Sequence, residues 1–159
     1  MLRQDDWQKA ILVNFGYANG KEWGGHLASC AIMSCMMNRV RLGWGSVSEV
    51  IASAPKYAAE ESLPVIMPSI WDQNFIRILT EVEGIYDGSA KDLSCGGIYF
   101  CDLRRIERPW FLDEIIRSGN YAPVANMNSL TFYAPGQNLS AKEHAAKYGR
   151  ERTEYAFSL

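Results

Sequence analysis

The sequence predicts an α+β fold, a mostly helical single domain with a small antiparallel sheet. Three observations support this prediction. Apolar residues recur at helical spacing through most of the first 85 residues, whereas short runs rich in aromatic and β-branched residues occur only after residue 97. The chain has 159 residues, without an internal repeat, linker or low-complexity tract. Its 48% hydrophobic and 21% charged residues are enough to bury one core, so we expect one domain over residues 1–159.

The first two predicted helices occupy residues 5–17 and 24–41. Apolar side chains in both recur every three or four residues, as they do on one face of a helix. In the first helix these are Trp7, Ile11, Leu12 and Phe15, and in the second they include Leu27, Ala31 and Cys35. Asn19 and Gly20 are expected to end the first helix, and Gly43 the second.

Two more helices follow, separated by an irregular stretch. Ser46 and Glu49 have the spacing of a capping box, which predicts a short helix through Ile51. Residues 54–68 contain three prolines, and their length makes them a candidate substrate loop. Ser69 is expected to cap the next helix. Its apolar face is predicted to hold Trp71, Phe75, Ile78, Leu79, Val82 and Ile85.

The last third of the chain carries the predicted strands. Residues 98–101 follow a glycine pair and read as a buried strand, and residues 124–133 read as one or two strands around an Asn126-Met127-Asn128 turn. A helix from Pro109 to Gly119 is predicted between them. A second capping box, Ser140 to Glu143, predicts a polar C-terminal helix within residues 134–159.

Composition excludes several classes of protein. A net charge of −2 gives no electrostatic case for binding nucleic acid or an anionic membrane surface. The four cysteines lack metal-binding spacing, and we expect them to be reduced thiols. No apolar run is long enough to span a membrane. The N-terminus is acidic where a signal peptide is basic, which predicts synthesis in the cytoplasm without an export signal.

Glu22 is the first candidate for acid chemistry. It is the one carboxylate between residues 7 and 48, on a glycine-rich turn beside Trp23. An acid beside an indole suits a general acid, because an apolar setting raises the pKa of a carboxyl group. The alternative is a carboxylate that complements the dipole at the start of a helix. Glu83, on the fourth helix, could also face a cleft, or it is a solvated helix acid.

Other polar and aromatic residues allow two interpretations each. Asp92 fits an Asx-turn in its loop better than a catalytic base. Asn126 and Asn128 could bind the N-acetyl groups of a sugar, or they are there because asparagine favours turns. Tyr99 and Trp110 could stack on sugar rings, or they belong to the core.

Four segments, in order, resemble the SleB/CwlJ-type cell wall hydrolases. Residues 92–100 (Asp-Leu-Ser-Cys-Gly-Gly-Ile-Tyr-Phe) are similar to the family's Asp-Pro-Thr-Gly-Gly-Ala-x-Tyr-Phe segment. Residues 31–40, ending in Asn-Arg-Val, resemble its Asn-Arg-Val helix, and residues 15–21 resemble its Tyr-Gly-Glu-Ala-Arg-Gly-Glu turn. Residues 124–133 resemble the closing segment that ends in Phe-Tyr, so the resemblance covers about residues 11–133.

This resemblance implies a lysozyme-like cleft that binds peptidoglycan glycan strands. It implies a lytic transglycosylase reaction between N-acetylmuramic acid and N-acetylglucosamine, with one glutamate as acid and base and no metal or nucleotide cofactor. Aligned on the Ala-x-Gly core, the family's catalytic glutamate falls at Tyr17, and counted back from Asn38 it falls at Gly20. Neither position is a glutamate, but a shift of two residues from Gly20 reaches Glu22. The family's histidine near the closing segment is replaced by Leu130.

Two functions follow as expectations. The first is a cell wall glycosidase with Glu22 as its catalytic residue. Its substrate-binding residues would be Tyr17, Tyr99, Trp110, Asn126 and Asn128. The second is a non-catalytic descendant that binds glycan or protein, for example a phage structural component. A phage lysis or virion protein would reach the cell wall without a signal peptide of its own.

Overall fold

The computed structural model describes residues 3–54, 71–105 and 109–136, except for the side chains of Glu22, Arg105 and Trp110. Most of the irregular stretch predicted at residues 54–68, the proposed cap Ser69 and the predicted C-terminal helix lie outside these residues. Within them the fold is α+β, mostly helical with one small antiparallel sheet, as the sequence predicts.

Four helices form the larger layer of the fold. They are α1 (Gln4–Gly20), α2 (His26–Arg41), α3 (Val47–Ala52) and α4 (Gln73–Asp87). α1, α2 and α4 pack against one another, and α3 packs on α1 and α2. The predicted capping box begins α3: Ser46 accepts a hydrogen bond from the Glu49 backbone N–H, and the Glu49 carboxylate accepts one from the Ser46 N–H.

The sheet contains three strands in the order β1-β3-β2, all antiparallel. They are β1 (Tyr99–Asp102), β2 (Tyr121–Met127) and β3 (Leu130–Pro135). The β2–β3 turn lies at residues 128–129, so the predicted Asn-Met-Asn turn is wrong by about two residues. Asn126 is instead a strand residue that pairs with Thr131. Between β1 and β2 lie α5 (Pro109–Phe111) and a π-helical segment, Leu112–Arg117.

Both faces of the sheet are covered at β1. Successive strand residues point to opposite faces, so Phe100 packs into the core of α1 to α4, whereas Tyr99 and Cys101 point to the other side. That second core is closed by Phe111 and Ile115, from α5 and the π-helical segment. The β1 strand is therefore buried on both faces, which explains its unbroken run of apolar residues.

Four of the predicted core residues are exposed instead. Trp7 is 62% exposed, Leu27 is 54% exposed, Leu79 is 47% exposed and Trp71 is 80% exposed. Trp71 precedes α4 because Asp72 is the N-cap: its Oδ1 accepts hydrogen bonds from the N–H groups of Asn74 (2.9 Å) and Phe75 (3.4 Å). A periodic pattern that includes the residues before this cap therefore assigns them wrongly to the helix face.

The four cysteines are free thiols, three of them buried and Cys95 exposed. None of the helices in the described part of the chain combines the length and apolar content needed to cross a bilayer.

Acid should weaken the fold through Asp102, the buried carboxylate that ends β1. Hydrogen bonds from Arg104 lower the pKa of Asp102 to about 2, and the Nη2–Oδ2 distance is 2.9 Å. The pKa in the unfolded chain is about 3.9, so Asp102 contributes about 2 kcal/mol above that pH, and this is lost as the pH falls toward 2. We expect urea unfolding curves of the wild type and Asp102→Asn to converge between about pH 4 and 2.

The matched control is Asp113→Asn, because Asp113 forms an exposed pair with Arg117 at 3.4 Å. It should follow the wild-type curve at every pH, since an exposed pair of this kind contributes little. A constant difference between wild type and Asp102→Asn from pH 7 to pH 2 would show that this carboxylate does not titrate with folding.

Candidate functional site

The residues that the sequence singles out meet at the junction of α1 and α2. A short 3-10 helix, Lys21–Trp23, joins the two helices, and we call it the Lys21 turn. α1 and α2 approach closely here, because a Cβ on Gly20 would lie 2.6 Å from the backbone nitrogen of Ser29. The backbone of Glu22 lies in the middle of this turn, while its side chain is outside the described part of the structure.

The β2–β3 hairpin holds one side of the Lys21 turn. Trp23 is buried, and its Nε1 donates a hydrogen bond to Ser129 Oγ at 3.2 Å. Asn128 donates from Nδ2 to the Trp23 carbonyl oxygen, also at 3.2 Å. The backbone of Asn128 has a φ of 55°, a left-handed conformation that asparagine tolerates better than most residues. The hydrogen bond of Asn128 thus holds the hairpin against Trp23, the residue that follows Glu22 in the turn.

The N-terminus of α4 holds the other side. The Tyr17 hydroxyl donates a hydrogen bond to the Asp72 carboxylate, and the Tyr17 ring packs edge-on against Phe75 with 5.5 Å between ring centroids. This hydrogen bond, together with burial, raises the pKa of Tyr17 to about 12, and it also lowers the pKa of Asp72. Tyr17 is therefore a neutral phenol whose hydroxyl is occupied in holding α4 against α1.

Two cations and an exposed indole lie on the same junction. The Lys21 Nζ is 5.9 Å from the centroid of the Tyr17 ring. On the other flank, Arg77 Nη1 lies 3.5 Å from Nδ1 of His26, the first residue of α2. Trp71 immediately precedes the Asp72 cap and is 80% exposed. Charged groups of both signs, Lys21, Arg77 and the Asp72 carboxylate, therefore surround this junction.

The sequence did not identify Trp71, Asp72 or Arg77 as site residues. One local signal was present: an aspartate directly before a helical pattern is a favoured N-cap, which would have placed Trp71 outside the helix. The position of Arg77 carries no such signal, because its role depends on the packing of α4 across the start of α2.

The other predicted binding residues do not join this site. Tyr99 is completely buried between the sheet and α5, so it has no face open to a sugar ring and the predicted stacking role is wrong. Asn126 is exposed on β2, where its amide oxygen accepts a hydrogen bond from Thr131 Oγ1 at 2.8 Å. The side chain of Trp110 lies outside the described residues.

Asp92 forms the Asx-turn that the sequence predicts. Its Oδ1 accepts hydrogen bonds from the backbone N–H and the hydroxyl of Ser94, and its Oδ2 accepts from Asn38 Nδ2 and the Gly96 N–H. Burial opposes ionisation of Asp92, but these four hydrogen bonds outweigh it and hold its pKa below the ordinary value. Asn38 also donates to the Gly97 carbonyl at 3.0 Å. Asp92 and Asn38 together therefore fix the glycine loop to α2.

Glu83 is also engaged elsewhere. Both of its carboxylate oxygens lie within 3.0 Å of Lys9 Nζ, so it pairs α4 with α1 at the solvent edge of their interface. This arrangement favours the solvated helix acid over a cleft residue, and Glu22 remains the candidate acid at the junction.

A comparison of the chain with protein-family models, curated proteins and solved structures finds no match. A function for this protein therefore rests on the chemistry of the junction and on the motifs that resemble the cell wall hydrolases.

Proposed function

We propose that this protein is a peptidoglycan-cleaving glycosidase, a lytic transglycosylase that acts between N-acetylmuramic acid and N-acetylglucosamine. One observation carries the proposal: the turn that bears Glu22 is held between the α4 N-terminus and the β2–β3 hairpin. Two predicted site residues from distant parts of the chain, Tyr17 and Asn128, therefore flank the candidate acid. The order of the four motifs supports the same class of enzyme.

The reaction needs one carboxyl group that acts first as a general acid and then as a general base. Glu22 in its acid form protonates the glycosidic oxygen as the bond to C1 of the muramic residue breaks. The carboxylate then takes the proton of the C6 hydroxyl of that residue, and the oxygen closes on C1 to give a 1,6-anhydro ring. Protons balance over the cycle, and Glu22 ends as the acid.

A specific observation favours the second function, a non-catalytic binder of glycan. In the alignment on the Ala-x-Gly core, Tyr17 stands where the resembling family has its catalytic glutamate, and the Tyr17 hydroxyl donates a hydrogen bond to Asp72. The position is thus used for packing of α4 here. A protein that kept the fold and lost the acid could still bind glycan without cleaving it.

Purified peptidoglycan separates the two functions. We expect the wild-type protein to release soluble anhydro-muropeptides, identified by mass spectrometry through the anhydro ring at the muramic end. Release of reducing-end sugars instead would indicate a hydrolase rather than a transglycosylase. A protein that sediments with the peptidoglycan and releases nothing would be a binder. If it neither cleaves nor sediments, both proposals fail.

A further inference from the structure

Ser129 connects the Lys21 turn to the sheet through two hydrogen bonds of one hydroxyl group. Its Oγ accepts a hydrogen bond from Trp23 Nε1 at 3.2 Å, and its O–H donates to the carboxylate of Asp102, the last residue of β1. The backbone agrees with this placement, because the N–H of Leu103, next to Asp102, donates to the Ser129 carbonyl at 3.4 Å. A hydroxyl that donates to a carboxylate keeps its lone pairs for an N–H donor, so the two bonds are compatible.

Asp102 is a fixed support for this hydroxyl. Its side chain is completely buried, and Arg104 holds both of its oxygens. Oδ1 accepts from the Arg104 backbone N–H at 2.9 Å and from Nε at 3.1 Å, and Oδ2 accepts from Nη2 at 2.9 Å. A charged acceptor forms a stronger hydrogen bond than a neutral one. The carboxylate therefore sets the direction of the Ser129 O–H, and with it the side of the oxygen that faces Trp23.

Trp23 transmits this support to the turn. Its side chain is only 3% exposed, and it directly follows Glu22 in the three-residue helix Lys21–Trp23. A ring packed in a close-packed interior cannot shift without moving its own backbone. The position of the indole and the position of the Glu22 backbone are therefore linked.

We propose that Asp102 and Ser129 are positioning residues of the Lys21 turn, which they hold through the indole N–H of Trp23. The catalytic part of this inference rests on the proposed function: in the enzyme the two residues keep Glu22 at its distance from the glycosidic oxygen and take no part in proton transfer. A misplacement of about 1 Å can lower the rate of an enzyme by about 100-fold. Loss of the Ser129 hydroxyl should therefore lower kcat and leave KM unchanged.

The indole N–H signals of the protein test the two hydrogen bonds without any substrate. The sequence has five tryptophans, so a nitrogen–proton correlation spectrum contains five indole signals, and that of Trp23 is the one missing in Trp23→Phe. We expect Ser129→Ala to move this signal and to let its proton exchange with water about fivefold faster or more, because a hydrogen bond is lost. Asp102→Asn should move the same signal, since it weakens the support of the Ser129 hydroxyl.

Two controls separate this effect from a general disturbance. Ser53→Ala removes the hydroxyl of another half-buried serine, which donates to the Val50 carbonyl at 2.9 Å, and it should leave the Trp23 signal in place. The Trp44 signal reports on the rest of β1, because the Trp44 ring lies 5.7 Å from the ring of Tyr99. It should move less than the Trp23 signal in both test variants. Well-dispersed signals at a temperature below the unfolding midpoint show that each variant is folded.

Kinetics on soluble glycan strands, freed of their peptides, test the catalytic part. We expect Ser129→Ala to lower kcat about tenfold or more and to keep KM within about twofold of the wild type, because Ser129 acts on Glu22 and not on the substrate. Ser53→Ala should keep both values.

The proposal is overturned if the Trp23 signal stays in place in Ser129→Ala or in Asp102→Asn, or if Ser129→Ala of an active protein keeps the wild-type kcat. A wild type that releases no products contradicts the proposed function instead. The indole signals then still decide whether Asp102 and Ser129 hold the Lys21 turn.

Discussion

Replacing Glu22 with glutamine is expected to lower the release of anhydro-muropeptides from peptidoglycan by about 100-fold or more, the usual cost of losing a general acid. Glutamine is nearly the same size, but it cannot protonate the glycosidic oxygen or take the proton of the C6 hydroxyl. Glu22 lies in a turn held by hydrogen bonds through its neighbours, such as Asn128 to the Trp23 carbonyl. The variant should therefore fold and sediment with peptidoglycan as the wild type does.

Glu83→Gln is the matched control, because Glu83 is an exposed acid of the same type that pairs with Lys9 away from the turn. It should keep the wild-type rate of product release, measured by mass spectrometry over a time course. Full activity in Glu22→Gln would show that another residue is the acid, although the enzyme class would stand. Equal loss in both variants would point to a general effect on the fold.

Local patterns predicted the elements of this fold well, because their causes are local. The Ser46-to-Glu49 capping box begins α3 as its spacing predicts, and Asp92 forms the expected Asx-turn. The apolar period found α4, but the predicted cap, Ser69, lies three residues before the observed cap, Asp72. The spacing of apolar residues contains no information on the cap, which is Asp72 because its side chain accepts hydrogen bonds from the first backbone N–H groups of the helix. One N-cap thereby moved Trp71 from a predicted core face to the surface.

The candidate site was only partly predictable, because it is built by contacts between distant segments. Tyr17 and Asp72 are 55 residues apart, and Asn128 reaches a carbonyl 105 residues earlier in the chain. No spacing rule encodes such contacts. The stacking role predicted for Tyr99 was wrong for a related reason, because an aromatic residue after a glycine loop can either line a groove or fill a core. Only the packing of α5 on the far side of the sheet decides between them.

Replacing Arg39 with alanine is expected to lower the free energy of unfolding by about 3 kcal/mol, a large part of the stability of a single domain. Arg39 is only 1% exposed, and its Nε donates to the Ile98 carbonyl at 2.5 Å, which connects α2 to the start of β1. Its guanidinium carbon lies 5.3 Å from the Trp44 ring and 5.2 Å from the Tyr99 ring. Alanine would leave a cavity between these rings and an unpaired buried carbonyl.

The charge of Arg39 should contribute less to the free energy of unfolding than the space that its side chain fills. Burial lowers its pKa, and within the described residues its Nη1 has no hydrogen-bond partner, so the ion is held at a cost. Arg39→Met fills the same space without that cost and should remain within about 1.5 kcal/mol of the wild type. Arg39→Lys keeps a charge but loses the flat guanidinium and its fixed donor, and should cost about 2 kcal/mol or more.

Urea unfolding followed by tryptophan fluorescence measures the free energy of unfolding of each variant. From most to least stable, we expect the order wild type, Arg39→Met, Arg39→Lys and Arg39→Ala. Arg41→Ala is the control two positions along the helix. Arg41 is exposed and donates a hydrogen bond to the Ile85 carbonyl at 2.8 Å, with two longer ones of 3.5 Å to the Tyr86 carbonyl and Asn38 Oδ1. Because these bonds lie at an exposed position, their loss should cost about 1 kcal/mol or less. If lysine were more stable than methionine, the positive charge would itself stabilise the core. Arg39 would then have to be regarded as a buried ion that the fold requires between α2 and the sheet.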